Sequence, residues 1–317
     1  MQVIKTCAVL AVAALLSGCS SEVADRLNLR SEPNVQALPA GYIRLLSPAL
    51  HNFRMGRADA GDPVRSGTTS ERFELRDGDC GGSDCDQPRS RAEIRATDKA
   101  SKARIGQDIW YGYSFYNATV PSFQRDNSLR LVFGQWTLGG THRPIFRFIQ
   151  LGRDEGNFAG CDPSVCVGPN TTRGDIVVQL ADIAQANGWG EAQNDGYICR
   201  LFDMLEQRGK WVDITLNTNF SAGADGYLRI WVNGQLACNY SGPLSSQTTL
   251  SAATNPHHRR GIFSSWNKRW KAATNGAEQP QLVVYYDEFR SGSSFADVDV
   301  RHRLVFSDAP RGPWKRR

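Results

Sequence analysis

The chain has 317 residues, of which 40% are apolar and 10% aromatic, with eight cysteines and a formal net charge of +5. That apolar content is enough to bury a sizeable core and excludes a disordered chain. Thirty glycines against three methionines, with no long Leu/Ala/Glu/Lys runs, argue against a helical bundle and for strands and turns.

At the N-terminus Lys5 precedes an apolar run, Ala8–Leu16, that is too short for a permanent membrane span and reads as a secretion signal. The run ends in Leu16-Ser17-Gly18-Cys19, which resembles the lipobox of bacterial lipoproteins and implies cleavage before Cys19 and a lipid on its thiol. Ser20, where an Asp would imply retention in the inner membrane, favours the outer membrane of the cell envelope. The expected organisation is a signal peptide over 1–18, a polar tether over 19–40, one domain over 41–308 and a basic tail over 309–317.

With Cys7 and Cys19 assigned to the leader and the lipid, six cysteines remain, an even number in an oxidising compartment. Cys80–Cys85 and Cys161–Cys166 are matched short loops rich in turn residues, so each is paired locally, which leaves Cys199 with Cys238. The last closes a loop of about 40 residues and is worth about 4 kcal/mol on the chain-entropy model. A metal site on the two Cys-x4-Cys pairs is disfavoured by the compartment and by spacings longer than those of zinc pairs.

Strand-like patterning begins at Ile109, where Ile109, Tyr111, Tyr113 and Phe115 alternate with Trp110, Gly112, Ser114 and Tyr116. Apolar runs of strand length follow over 128–133, 145–151 and 176–180. Only 182–186 and 199–207 look helical. Val212, Ile214 and Leu216 alternate with polar neighbours, and Tyr227–Tyr240 carries Asn233-Gly234 between two β-rich runs, the strongest short hairpin signal because both residues tolerate positive φ. A last strand is expected over 282–289. Many short strands separated by turns predict an all-β, two-sheet sandwich whose concave face can hold an extended chain.

Between His257 and Lys271 lie Arg259, Arg260, Lys268, Arg269 and Lys271 without an acid, interleaved with Trp266 and Trp270. This suits a polyanion. The export signal argues against nucleic acid and for an anionic glycan, while a solvated basic loop with two core tryptophans accounts for the same composition.

Several segments together resemble the heparinase-I and glucuronan-lyase type of polysaccharide lyase, a β-jelly-roll family. The resemblance is carried by Arg91-Ala92-Glu93, Trp110 to Phe115, Phe133-Gly134-Gln135-Trp136, Gly209 to Asp213, Asp225 to Gly234, Arg260 to Phe263 and Tyr285-Tyr286-Asp287, in order over about 91–300. It implies β-elimination: a base takes the C5 proton of a uronic acid and an acid protonates the oxygen leaving C4. Such a proton is barely acidic until the adjacent carboxylate is neutralised, so cations and amides must sit at the carboxylate, with a proton carrier near C5. Arg91 and Gln135 match family positions for carboxylate contact, and Arg259 stands where a lysine is common. Glu93, Trp136, Arg143, Asn217, Arg260, Trp266 and Lys268 are further candidates for holding the glycan.

Two departures bear on chemistry. The family's Gln-x-His reads Gln135-Trp136-Thr137, and its Lys-x-Gly-x-Tyr reads Arg259-Arg260-Gly261-Ile262-Phe263. Threonine and phenylalanine do not move protons at neutral pH, so a substitute is required. His142 is the first candidate for the base, His257 and His258 the next, and Tyr111, Tyr113 or Tyr240 are candidates if they face the groove. The reading is therefore a lyase on an acidic, uronate-containing glycan, acting as a monomer without metal or organic cofactor, although a loop such as Asp154–Asp162 would suit a structural calcium. The rival is a non-catalytic carbohydrate-binding module on the same fold. A retaining glycoside hydrolase lacks its closely spaced pair of carboxylates. Asn117-Ala118-Thr119 has the form of a glycosylation site but carries little weight in a bacterial lipoprotein.

Overall fold

Alternation of apolar and polar side chains along successive short segments leaves each segment one face to bury, and two sheets laid face to face bury them all. The computed structural model describes residues 37–45, 47–124, 126–139, 142–152, 175–189, 195–246 and 255–307, and shows such a sandwich. In chain order its strands are β1 (Tyr42–Leu45), β2 (Phe53–Arg57), β3 (Thr69–Leu75), β4 (Ser90–Ala96), β5 (Ile109–Asn117), β6 (Leu131–Thr137), β7 (Phe146–Gln150) and β8 (Ile176–Gln179). They continue with β9 (Tyr197–Phe202), β10 (Trp211–Thr218), β11 (Tyr227–Val232), β12 (Gln235–Ser241), β13 (His257–Ser264) and β14 (Leu282–Gly292).

The first sheet has the order β1-β4-β13-β6-β7-β8-β9 and the second β12-β11-β10-β5-β14-β3-β2, with antiparallel pairing throughout. Neighbours such as β4 and β13, or β5 and β14, are distant in sequence, because the chain crosses repeatedly between the sheets in the manner of a jelly roll. The core between them is aromatic: Phe73, Tyr113, Phe115, Phe133, Trp136, Phe146, Phe148 and Tyr286 are all buried there. Each contributes about 1.5–3 kcal/mol by burial.

Asn233 (φ 50°) and Gly234 (φ 80°) take the two left-handed positions of the hairpin between β11 and β12, as their residue types predict. Cys199 on β9 is bonded to Cys238 on β12, a staple between the two sheets, and Cys80 is bonded to Cys85 beside the short helix Ser83–Asp86. The Cys161–Cys166 pairing and the calcium-loop expectation for Asp154–Asp162 lie outside the described residues, as do the signal peptide, Cys19 and the basic tail. The helix expected over 182–186 is present as Ala181–Ala186. The one expected over 199–207 is not: Cys199–Phe202 belongs to β9, held by pairing with β8 and by the disulfide, which override local propensity. The basic run is not one loop either, since His257–Ser264 is a central strand and Asn267–Ala273 a helix. Asn117 is 1% exposed and donates to the Val120 and Met204 carbonyls, so it is no glycan acceptor.

Candidate active site

Ala92 and Ile94 of β4 point into the core, so Arg91, Glu93 and Arg95 share the outer face of the first sheet. On β13 the inward residues are His258, Arg260 and Ile262, which sets His257 and Arg259 outward. Residues paired across an antiparallel ladder lie on the same face, and the registers connect Arg95 (β4) with Arg259 (β13), Arg259 with Gln135 (β6), Gln135 with Arg147 (β7) and Arg147 with Gln179 (β8). Adjacent strands are about 4.8 Å apart, so three guanidinium groups and two amides form one row across five strands. Beside it runs an apolar row, Phe263, Val132, Ile149 and Val177, with the Arg91 guanidinium 4.3 Å above the Phe263 ring.

Glu93 organises this face. It is 4% exposed, and its carboxylate accepts from Arg91 Nη1 at 2.5 Å and from Gln135 Nε2 at 2.7 Å. Arg91 also donates from Nε to Asp84 at 2.7 Å and from Nη2 at 3.2 Å. Arg91 therefore keeps one N–H on each Nη, and Gln135 keeps its second amide N–H, as donors not committed to these carboxylates. Burial lowers the proton affinity of Arg259, Glu93 opposes that, and Arg91 and Arg95 add to it. Arg147, which donates to Gln179 Oε1 at 2.7 Å, is pushed down to about 9 by burial and by Arg130 and Arg143. It is still a cation at neutral pH. Crowded, partly desolvated guanidinium groups gain most from an incoming carboxylate.

Not every expected residue reaches this face. Trp136 is buried in the core, stacked 4.6 Å from Phe146, because it alternates with Gln135 and must point the other way. Arg260 alternates with Arg259 in the same way, is 1% exposed and forms a bidentate pair with Glu71 of the opposite sheet. Asn217 sits on the second sheet, where its amide donates to Asp108 at 2.7 Å. His258 is buried between the sheets, stacked 4.4 Å from Phe289. Tyr111, Tyr113 and Tyr240 line the core rather than a groove, and burial raises all three hydroxyls, that of Tyr240 to about 12. Glu93 has both oxygens engaged by Arg91 and Gln135, so it positions groups rather than meeting a glycan.

His142 and exposed Arg143 lie in the segment between β6 and β7, and His142 makes no hydrogen bond or ion pair among the described residues. Trp266 is clamped between the guanidinium groups of Arg130 at 3.9 Å and Arg269 at 3.4 Å. Lys268 borders a separate cavity of about 320 Å³ beside the Cys80–Cys85 bridge. Arg95 and Arg147 were not singled out from sequence. The i, i+2, i+4 spacing of Arg91, Glu93 and Arg95 was signal enough for the first, whereas Arg147 depends on the pairing of β6 with β7. Among the described residues no group of three or more His, Cys, Asp or Glu is arranged to hold a metal ion.

The first sheet of this jelly-roll sandwich thus presents an extended, cation-lined face. A family model described as polysaccharide lyase matches residues 58–290, and the chain belongs to that family, whose members break a carbon–oxygen bond of a polysaccharide. Among solved structures it is similar to an endo-β-1,4-glucuronan lyase from the fungus Trichoderma reesei, at 15% identity and a TM-score of 0.48, over 83% of this chain and 98% of that one. It is also similar to the alginate lyase AlgAT5 of polysaccharide lyase family 7, at 11% identity and a TM-score of 0.41 over 78% and 88%. A third is the alginate lyase AlyC3, at 12% identity and a TM-score of 0.42 over 70% and 74%. No curated protein sequence matches the chain.

Proposed function

We propose that this lyase acts on a uronate-containing glycan by β-elimination, at the cell envelope, held there through the lipid on Cys19. The observation that carries the reading is the row Arg95–Arg259–Gln135–Arg147 on one sheet face, with the free N–H groups of Arg91 beside it. A uronate carboxylate placed against Arg259, Gln135 and Arg91 loses the charge that suppresses ionisation of C5–H, and the same donors stabilise the enolate-like charge as the proton leaves. The glucuronan and alginate lyases named above bear on the choice of polymers to test and on nothing finer.

Lysis leaves an unsaturated uronate that absorbs in the ultraviolet. The expected outcome is a rise in absorbance on at least one of alginate, glucuronan, heparin-like and pectic polymers, and no rise on any of them sinks the reading. Gln135→Ala should lower kcat/KM by about 10²–10³ with the fold intact. Arg91→Ala is the poorer test, because it leaves Asp84 and Glu93 as buried carboxylates without their cation and so confounds activity with folding. A glycan-binding role without turnover is favoured by one observation, that Thr137 and Phe263 stand where the family has its His and Tyr. It predicts polymer retention with no absorbing product.

A further inference from the structure

Of the three histidines that the sequence offers as proton carriers, the fold distinguishes one. His258 is sealed in the core, and His142 stands in a connecting segment with no partner among the described residues to orient it. His257 lies on the outer face and is the direct cross-strand partner of Thr137, the residue at the position of the family histidine. Side chains paired in this way have Cβ atoms about 4.5–5.5 Å apart, so an imidazole absent from β6 is restored one strand over, on β13, next to the carboxylate-binding row.

We propose that His257 is the catalytic proton carrier of this lyase; the inference rests on the β-elimination reading above. Its Nε2 lies 3.0 Å from Asp98 Oδ1, and donation to that carboxylate leaves Nδ1 as the bare nitrogen, the form a base requires. His257 is 2% exposed, and Nδ1 is buried with no hydrogen-bond partner. Two neighbours on the same face, Arg95 and Arg259, each bury an Nε that is likewise unpartnered. One sheet face thus carries two unpartnered donors suited to a carboxylate and one acceptor suited to a C–H proton. Burial and the nearby Arg95 lower the proton affinity of His257, with Asp98 and a backbone hydrogen bond at Ala96 opposing and Arg259 adding, a balance that favours the neutral imidazole.

In the proposed step Nδ1 takes the C5 proton and the C5–H electron pair becomes the C4–C5 double bond. The C4–O bond breaks with its pair on oxygen, and the imidazolium returns the same proton to that oxygen, which stays on C1 of the neighbouring sugar. The products are an unsaturated uronate and a new reducing end, with His257 neutral again.

The test uses the full-length protein on whichever polymer the wild type cleaves. His257→Gln should lower kcat by about a hundredfold or more with KM changed by less than about threefold, abolish the acid limb of the kcat/KM profile, and recover part of its rate with added imidazole. Asp98, whose side chain is 84% exposed, offers a second variant that does not threaten the fold. Asp98→Asn should move the acid limb to lower pH, because it removes the group that favours the imidazolium. A His257→Gln enzyme that keeps its rate within about tenfold and its acid limb overturns the proposal. So does an unmoved limb in Asp98→Asn, should His257→Gln fail to fold. In either case wild-type product formation leaves the lyase reading standing. A wild type without product ends both.

Discussion

Strand β13 carries the same two residue types twice, His257-His258 and Arg259-Arg260, and the two copies live in different worlds. Period-two alternation sends His257 and Arg259 to the outer face, among guanidinium groups and amides, and His258 and Arg260 to the aromatic core. Arg260 survives there because Glu71 pairs with it in bidentate fashion and because its guanidinium lies 4.1 Å from the Tyr42 ring and 4.5 Å from that of Phe289. Despite burial, Glu71 holds it more firmly protonated than an ordinary arginine. Among the described residues Arg259 has no such dedicated carboxylate. The two neighbouring cations on β13 thus differ in whether a dedicated carboxylate holds them.

That contrast is broken most severely at Arg260. Replacing it by alanine leaves Glu71 as a buried, uncompensated charge and should cost about 3–5 kcal/mol, read as a lowered urea midpoint, whereas Arg260→Met combined with Glu71→Leu should be near neutral. Arg259→Ala should do the reverse, leaving the midpoint within about 0.5 kcal/mol while reducing kcat/KM by about 10²–10³. Equal effects of the two substitutions on stability would show that the two faces are not distinct.

The two histidines sharpen the comparison by pH. His258 is fully enclosed, neither ring nitrogen has a partner, and burial, with Arg260 nearby, holds its proton affinity well below the ordinary value. Below about pH 6.5 the unfolded chain binds a proton there that the folded protein does not, so stability is fully present above that pH and falls as pH decreases, by about 1.4 kcal/mol per unit. His257 shifts in the same direction. His258→Phe should remove one proton's worth of this slope in denaturation between pH 7 and 5. A slope unchanged by the substitution would place the imidazole outside the core.

Much of this division was legible in the sequence once strand period is applied. Gln135-Trp136-Thr137 cannot present all three side chains to one glycan, and Arg259-Arg260 cannot present both cations, because neighbours in a strand face opposite ways. Treating 257–271 as one basic segment hid this, since composition counts charges without assigning them faces. The hairpin at Asn233-Gly234 and the sandwich class follow from local turn chemistry and short alternating runs. The row itself does not. It depends on β4, β13, β6 and β7 becoming neighbours in that order, a non-local register fixed by which faces bury together, so Arg147 and the Thr137–His257 pairing emerge only with the sheet assembled.

The smallest effect is expected at His142, and it completes the comparison with a histidine on neither face of β13. Its distance in sequence from Gln135 is short, but the strand ends at Thr137, and beyond that point the ladder no longer dictates which way a side chain points. Among the described residues His142 has no carboxylate to fix its tautomer, in contrast to His257 with Asp98. His142→Ala should therefore leave kcat within about twofold and the acid limb of kcat/KM where it was, equivalent to less than about 0.5 kcal/mol in the barrier. A hundredfold loss with the limb abolished would move the proton carrier from the sheet to the loop, and with it the orientation of the sugar ring on the row of arginines.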